Sequence, residues 1–148
     1  MLCSSEEAPT WRREPGIEGH YRVCRTYGEC LRGLFAVHNQ TGNVWSHLIG
    51  LVGFPVLAYV AFTTLVHNEL VHQLMFVLLF GGSLACMVFS VCFHLFSAHM
   101  NESVFRRWLA LDYFGITCCI VGSFFAPTYL AFACFPAYRV VYLSIISA

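Results

Sequence analysis

Residues 74–96 read LMFVLLFGGSLACMVFSVCFHLF, residues 97–107 read SAHMNESVFRR, and an apolar run resumes at 108–117 with WLALDYFGIT. The first run is long enough to cross a bilayer of about 30 Å at about 1.5 Å per helical residue. The polar insert is short, so it predicts two antiparallel neighbouring spans joined on one side of a membrane. His94 sits about one turn inside the first span, and Asp112, the only aspartate in the chain, about one turn inside the second. Ionisable side chains in hydrocarbon are costly, so they face a protein interior and mark function. Here two of them enter from the same side at about the same depth.

The rest of the chain fits this reading. Of 148 residues, 58% are hydrophobic and 11% charged, with mean hydropathy +0.67. A soluble domain is nearer to half apolar and a quarter charged. The fold class expected is an all-α membrane protein. A first span is predicted over about 44–66, with Asn43 as its cap and Pro55 as a mid-span kink. The second runs over about 74–96, with Gly81, Gly82, Ser83 and Ala85 as a small packing face. The third covers about 108–134, with Pro127 breaking or kinking its end, and a truncated fourth covers 138–148. Ahead of these, residues 1–17 read as a loose polar tail. Residues 18–43 read as a juxtamembrane segment, with Leu31, Leu34, Phe35 and His38 at amphipathic helical spacing.

Several function classes fall away. The formal net charge is zero, which argues against a nucleic-acid partner. No phosphate loop, GxSxG, kinase or dinucleotide fingerprint occurs. The eight cysteines form no CxxC pair, so most read as small apolar packing residues, with Cys3 and Cys24 as candidates for acylation.

Ser90 and His94 are four apart and share a helix face. A neutral imidazole and a carboxylate are good zinc ligands. Alternatively the carboxylate holds a water as base. The competing reading is a neutral His94 hydrogen-bonded to Asp112 or Ser90 as interhelical glue. One His and one Asp are too few for a zinc centre on their own. His47, near the same end of the first span, can point to the layer of His94, but the favoured reading is an interfacial residue beside Trp45, and His99 is expected as a solvated loop residue. His67 and His72 fall on the opposite side, with Glu69 loop-exposed. The polar run of Glu29, Arg32, His38, Asn39, Thr41 and Asn43 caps the first span or packs across the site's mouth.

These motifs form an ordered set. His38-Asn39-Gln40-Thr41-Gly42-Asn43-Val44-Trp45-Ser46-His47-Leu48 resembles the segment opening the first helix of the progestin and adipoQ receptor family. Ser90 to His94 is similar to its helix-two motif, Leu111 to Ile116 to its helix-three motif, and Gly122-Ser123-Phe124 with Pro127 and Tyr142 to Ile145 extends the likeness. The adiponectin-receptor-like branch is the nearest. The resemblance implies a seven-helix membrane protein with a cytosolic N-terminus and an extracellular C-terminus. It implies zinc near the cytosolic face, ligated by His94, with Asp112 contacting the metal through water and two further histidines supplied by an HxxxH motif in helix seven. It also implies ceramide hydrolysis, with Asp112 and Ser90 in catalytic roles, and the family also includes steroid receptors and Golgi scaffolds. The implied partners are membrane lipid, a lipid substrate, a protein hormone and a homo- or hetero-oligomer. The 148 residues contain no HxxxH. The chain is therefore expected to be an N-terminal fragment, inactive alone. The alternative expectation is a non-catalytic scaffold or dominant-negative partner of a full-length family member, in the plasma, Golgi or endoplasmic-reticulum membrane.

Arginine placement sets the expected orientation. Arg12, Arg13, Arg22, Arg25, Arg32, Arg106 and Arg107 fall on one side and Arg139 on the other. The positive-inside rule puts the N-terminus in the cytosol. The sequons at Asn39 and Asn101 are then unused. Translation into microsomes is expected to give protein whose gel mobility is unchanged by a deglycosylase; glycan at either asparagine would invert the topology.

Overall fold

The computed structural model describes residues 2–65 and 69–148. The chain runs β1 (Leu2–Cys3), a 3-10 turn (Thr10–Arg12), β2 (Tyr21–Arg22), α1 (Tyr27–Arg32) closed by a 3-10 turn (Gly33–Phe35), α2 (Thr41–Thr64), α3 (Leu70–Phe96), α4 (Glu102–Ala131) and α5 (Pro136–Ser147). By length and composition α2, α3 and α4 can each cross a membrane. Helices satisfy their backbone groups internally, which hydrocarbon demands. Their outward side chains are large and apolar, as Ile49, Val56 and Tyr59 illustrate.

The element boundaries differ from expectation for local reasons. α2 starts at Thr41, ahead of the expected Asn43 cap, because the Thr41 hydroxyl takes the His38 N–H at 2.8 Å and donates to Ala36 O at 3.2 Å. It ends at Thr64; Val66, the expected end, and His67 lie outside the described residues. α3 begins at Leu70, so Val71 to Gln73 are helical rather than loop. α4 begins at Glu102, not near Trp108. The Asn101 carboxamide oxygen accepts the Ser103 N–H at 2.9 Å, and Glu102 pairs with Arg106 at 2.6 Å. Arg106 and Arg107 thus belong to the helix. Pro127 lies inside α4, which continues past it to Ala131 and ends short of the expected residue 134. α5 begins at Pro136, where a missing N–H costs nothing.

The chain divides into two compact units: Met1–Ile49 with Val88–Tyr113, and Gly50–Met87 with Phe114–Ala148. The first unit corrects the expectation of a loose tail. β1 pairs antiparallel with β2, Leu2 opposite Arg22 and Cys3 opposite Tyr21. Tyr21 is buried, and its hydroxyl accepts the Glu14 N–H at 2.8 Å. Cys24 continues from β2 to the α3–α4 turn, taking the Met100 N–H at 2.9 Å and donating its own to Ala98 O at 3.1 Å. The amphipathic segment is also revised. Thr26 caps α1 by accepting from Glu29 N, and the helix with its 3-10 turn is over by Phe35. His38 lies beyond it and is buried, while Phe35 is 85% exposed. Leu34 and Leu48 pack on Val44, Val91 and Leu95.

The second unit is held by close backbone approach and rings. A Cβ added at Gly82 would strike the Cys118 carbonyl, and one at Gly122 the Leu78 carbonyl. Small residues at crossing points are how helices pack in lipid, where apolar burial gives no preference for protein neighbours. Phe62 packs edge-on against Phe76, and Arg139 lies 4.6 Å over Tyr129.

This reciprocity gives a contrast. Gly82→Val is expected to lower thermal stability in detergent by an overpacking cost of about 1–3 kcal/mol. Gly81→Val, where an added Cβ meets nothing within 4 Å, is expected to leave the melting temperature nearly unchanged. Intrinsic fluorescence melts of the two variants check this, and equal losses would refute the assigned crossing.

Candidate functional site

His94 lies on the last turn of α3, with Gln40 just before α2 and Asn43 and His47 in its first two turns. The His94 Nδ1 faces the Gln40 Oε1 at 2.8 Å. The Gln40 amide is itself fixed: Oε1 accepts from Asn43 Nδ2 at 2.7 Å, and Nε2 donates to Glu14 Oε1. An oxygen that already takes a donor from Asn43 can only accept, so the proton of a neutral His94 belongs on Nδ1. Nε2 then keeps its lone pair. His47 follows the same logic, with Nδ1 2.6 Å from Asn43 O. The two rings are 5.5 Å apart.

Asp112 is 8% exposed, and its Oδ1 is buried without a hydrogen-bond partner. An unsatisfied buried carboxylate oxygen is expensive. Ser90, one turn back from His94 on α3, is also buried. Above His94 is a cavity of about 300 Å³, lined by Trp11, Arg22, Asn39, Gln40 and Phe105 among others.

Arg22 shapes the mouth of that cavity. Its Nη2 donates to His94 O at 2.8 Å and Leu95 O at 3.2 Å, and its Nη1 to Cys30 O at 3.1 Å. Burial holds the Arg12 and Arg22 guanidiniums below the ordinary arginine range. Burial, then the Arg22 charge, pushes His38 down to about 4 against the pull of its Gly33 hydrogen bond. His38 is therefore neutral, accepting the Gln40 N–H on Nδ1 at 3.0 Å and facing Gly33 O through Nε2 at 3.1 Å. Burial raises Glu14, opposed by its bond from Gln40.

Ser90, His94 and Asp112 thus fall in one unit. His47 sits beside His94, the less favoured of its two readings. His99 is a structural residue rather than a solvated one: its Nδ1 accepts the Asn101 N–H at 3.0 Å and its ring meets Tyr27. Glu14, Gln40 and Arg22 were not singled out by the sequence. Gln40 entered the sequence reading only within the stretch from His38 to Leu48, while Glu14 and Arg22 reach the site through distant contacts. Among the described residues no three His, Cys, Asp or Glu side chains converge as a metal cluster. The fit to a metal is therefore that of part of a coordination shell: one imidazole with a free nitrogen and one buried carboxylate oxygen.

The haemolysin-III-related family pattern matches residues 35–148. The chain is 33% identical to the adiponectin receptor protein of Drosophila melanogaster, over 99% of this chain and 33% of that one. It is 36% identical to progestin and adipoQ receptor family member 3 of Homo sapiens, over 96% of this chain and 47% of that protein. Heptahelical transmembrane protein 1 of Arabidopsis thaliana is 33% identical, over 97% of this chain and 46% of its own length. The chain spans between a third and a half of the length of these relatives.

The neutral His38 has a pH consequence. Its folded pKa is depressed from 6.5 to about 4, so the unfolded chain binds more protons between those values. Stability present above about pH 6.5 is expected to fall as pH drops toward 4, by up to about 1 kcal/mol per unit. Melting temperatures measured between pH 7.5 and 4.5 should show this slope, and His38→Gln should flatten it; an unchanged slope would reject His38 as its source.

Proposed function

The chain belongs to the haemolysin-III-related family and is an adiponectin-receptor-like integral membrane protein, and on that premise we propose that it forms part of a seven-helix receptor that hydrolyses a lipid amide with zinc. Support comes chiefly from one observation: His94 Nδ1 faces the acceptor Gln40 Oε1, which leaves Nε2 its lone pair, while Asp112 Oδ1 is buried and unpaired. In this reading His94 holds the metal through Nε2. Zinc, when bound, polarises the amide carbonyl and makes a water acidic near neutral pH.

The chain's own residues do the remainder. Gln40, braced by Glu14 and Asn43, fixes the His94 ring and its tautomer, as partners of ligating histidines do. Asp112 orients the attacking water and takes its proton at Oδ1. Ser90 donates a hydrogen bond to the oxygen that becomes negative. The apolar helix surfaces admit an acyl chain, and the cavity over His94 admits the polar end. The two other protein donors belong, in this reading, to a later helix of the intact receptor. The N-terminus lies in the cytosol and the receptor sits in the plasma, Golgi or endoplasmic-reticulum membrane. Its regulator is a protein hormone.

A second reading is a non-catalytic scaffold that pairs with a full-length relative. It is favoured by the apolar groove of the second unit, lined by Val77, Gly81, Ala85, Phe114 and Val121.

Metal analysis and ceramide turnover of the intact receptor separate these readings. His94→Ala is expected to lose most of its zinc. Asp112→Asn is expected to keep zinc and lose at least about a hundredfold in turnover. Stoichiometric zinc in His94→Ala would sink the ligand assignment. Zinc-loaded wild type without turnover would leave the scaffold reading.

A further inference from the structure

Cys24 and Cys30 play no part in the site described above. Both are buried, Cys24 5% and Cys30 0% exposed, in one small cluster with Ala98 and Phe96. The interaction of the two thiols is the largest influence on the acidity of each. It draws Cys24 down to about 7 and drives Cys30 well above the ordinary thiol range. The charge of Arg22 acts in the same direction on Cys24.

The surroundings explain why a thiolate is accommodated there. Arg12 and Arg22 are both buried. Among the described residues neither forms an ion pair with a carboxylate; their nitrogens go to backbone carbonyls and to Met100 sulfur. Buried positive charge favours a nearby anion, and the Cys24 sulfur is the ionisable group placed to supply it. The two thiols also differ in access. A cavity of about 310 Å³ reaches Cys24 past Leu2, Glu29, Arg32 and Val37, and Cys30 does not line it. Cys24 thus borders a cavity while Cys30 is fully enclosed behind it. That division of labour suits an attacking and a resolving cysteine.

We propose that Cys24 and Cys30 are a peroxide-oxidised pair that closes reversibly into a disulfide, Cys24 attacking and Cys30 resolving. Cys24 Sγ attacks one oxygen of a hydroperoxide and the O–O bond breaks. Cys24 becomes a sulfenic acid, and the other oxygen leaves, protonated, as an alcohol or water. Cys30 Sγ then attacks the Cys24 sulfur; the S–S bond forms, the S–O bond breaks, and the hydroxyl leaves with the Cys30 proton as water. Two thiols are oxidised and one peroxide is reduced. Closure removes the anion beside Arg22, the side chain that grips the His94 carbonyl.

The sequence makes the product easy to read. Trypsin cuts after Arg22, Arg25 and Arg32, so the two cysteines fall on separate peptides, residues 23–25 and 26–32. The reduced chain in detergent is treated with hydrogen peroxide, blocked with a maleimide, denatured, digested and weighed. The expected result is loss of both thiols together, with a linked 23–25/26–32 pair as the dominant disulfide, abolished by dithiothreitol. Cys30→Ser is expected to stop at a dimedone-trapped sulfenic acid on Cys24. Cys24→Ser is expected to leave Cys30 unoxidised at the same dose. A wild-type digest in which the linked pair is no more abundant than linkages of the exposed Cys134 would overturn the proposal. So would Cys30 oxidising in Cys24→Ser as fast as in wild type.

Discussion

The guanidinium of Arg22 carries the arrangement of the first unit. The last carbonyls of a helix have no partners within it. At the end of α3 those of His94 and Leu95 are taken by Arg22, at 2.8 and 3.2 Å. Positive charge there also complements the helix dipole. The same side chain reaches Cys30 O at 3.1 Å, and its own carbonyl is held by Arg12. A two-stranded ribbon, a short helix and the end of a membrane span are thereby fixed by one group. His94 O also takes the Ser97 hydroxyl and Cys30 O the Gly33 N–H, so loss of Arg22 falls hardest on Leu95 O, at about 1–3 kcal/mol for a buried carbonyl without a donor.

A second constraint follows from Gln40. Its amide cannot be turned over, because Nε2 would then face the Asn43 amide and Oε1 the Glu14 carboxylate. The orientation set by Glu14 and Asn43 therefore decides which His94 nitrogen holds the proton. A residue in the N-terminal segment thus governs the chemistry of a side chain in a membrane span. The dependence is physical and local, yet it crosses 26 residues between Glu14 and Gln40 and 54 between Gln40 and His94.

The spans were legible because apolar runs leave a continuous signal, and α2, α3 and α4 lie where those runs lie. That His94 and Asp112 fall in one compact unit was legible from their depth and the short connection. The N-terminal segment was not. Glu6, Glu7, Arg12, Arg13 and Pro15 give it the composition of a disordered tail, and hydrogen bonds from Arg12 and Arg22 to distant carbonyls leave no mark in local sequence. Two missed boundaries did carry signals. Thr26-Tyr27-Gly28-Glu29 has capping-box spacing, and Thr26 accepts the Glu29 N–H at 3.2 Å. Asn101 reads as a sequon but acts as the cap of α4. Of the two readings open for His47, beside Trp45 at the interface or in the layer of His94, the ring contact with His94 favours the second.

The alternative in which His94 and Asp112 simply bond each other meets a difficulty of proton count. A neutral imidazole has one N–H, and that of His94 goes to Gln40. Its remaining nitrogen only accepts, and so does an ionised carboxylate. Two acceptors repel unless a donor or a cation lies between them. A second proton on the imidazole would resolve the conflict, but it would place a cation beside His47 and the backbone-bound Arg22 in a part-buried position. A water that donates one hydrogen to Asp112 and the other to Nε2 satisfies both groups without that charge. With its proton on the Gln40 side, His94 offers the Asp112 carboxylate an acceptor and no donor.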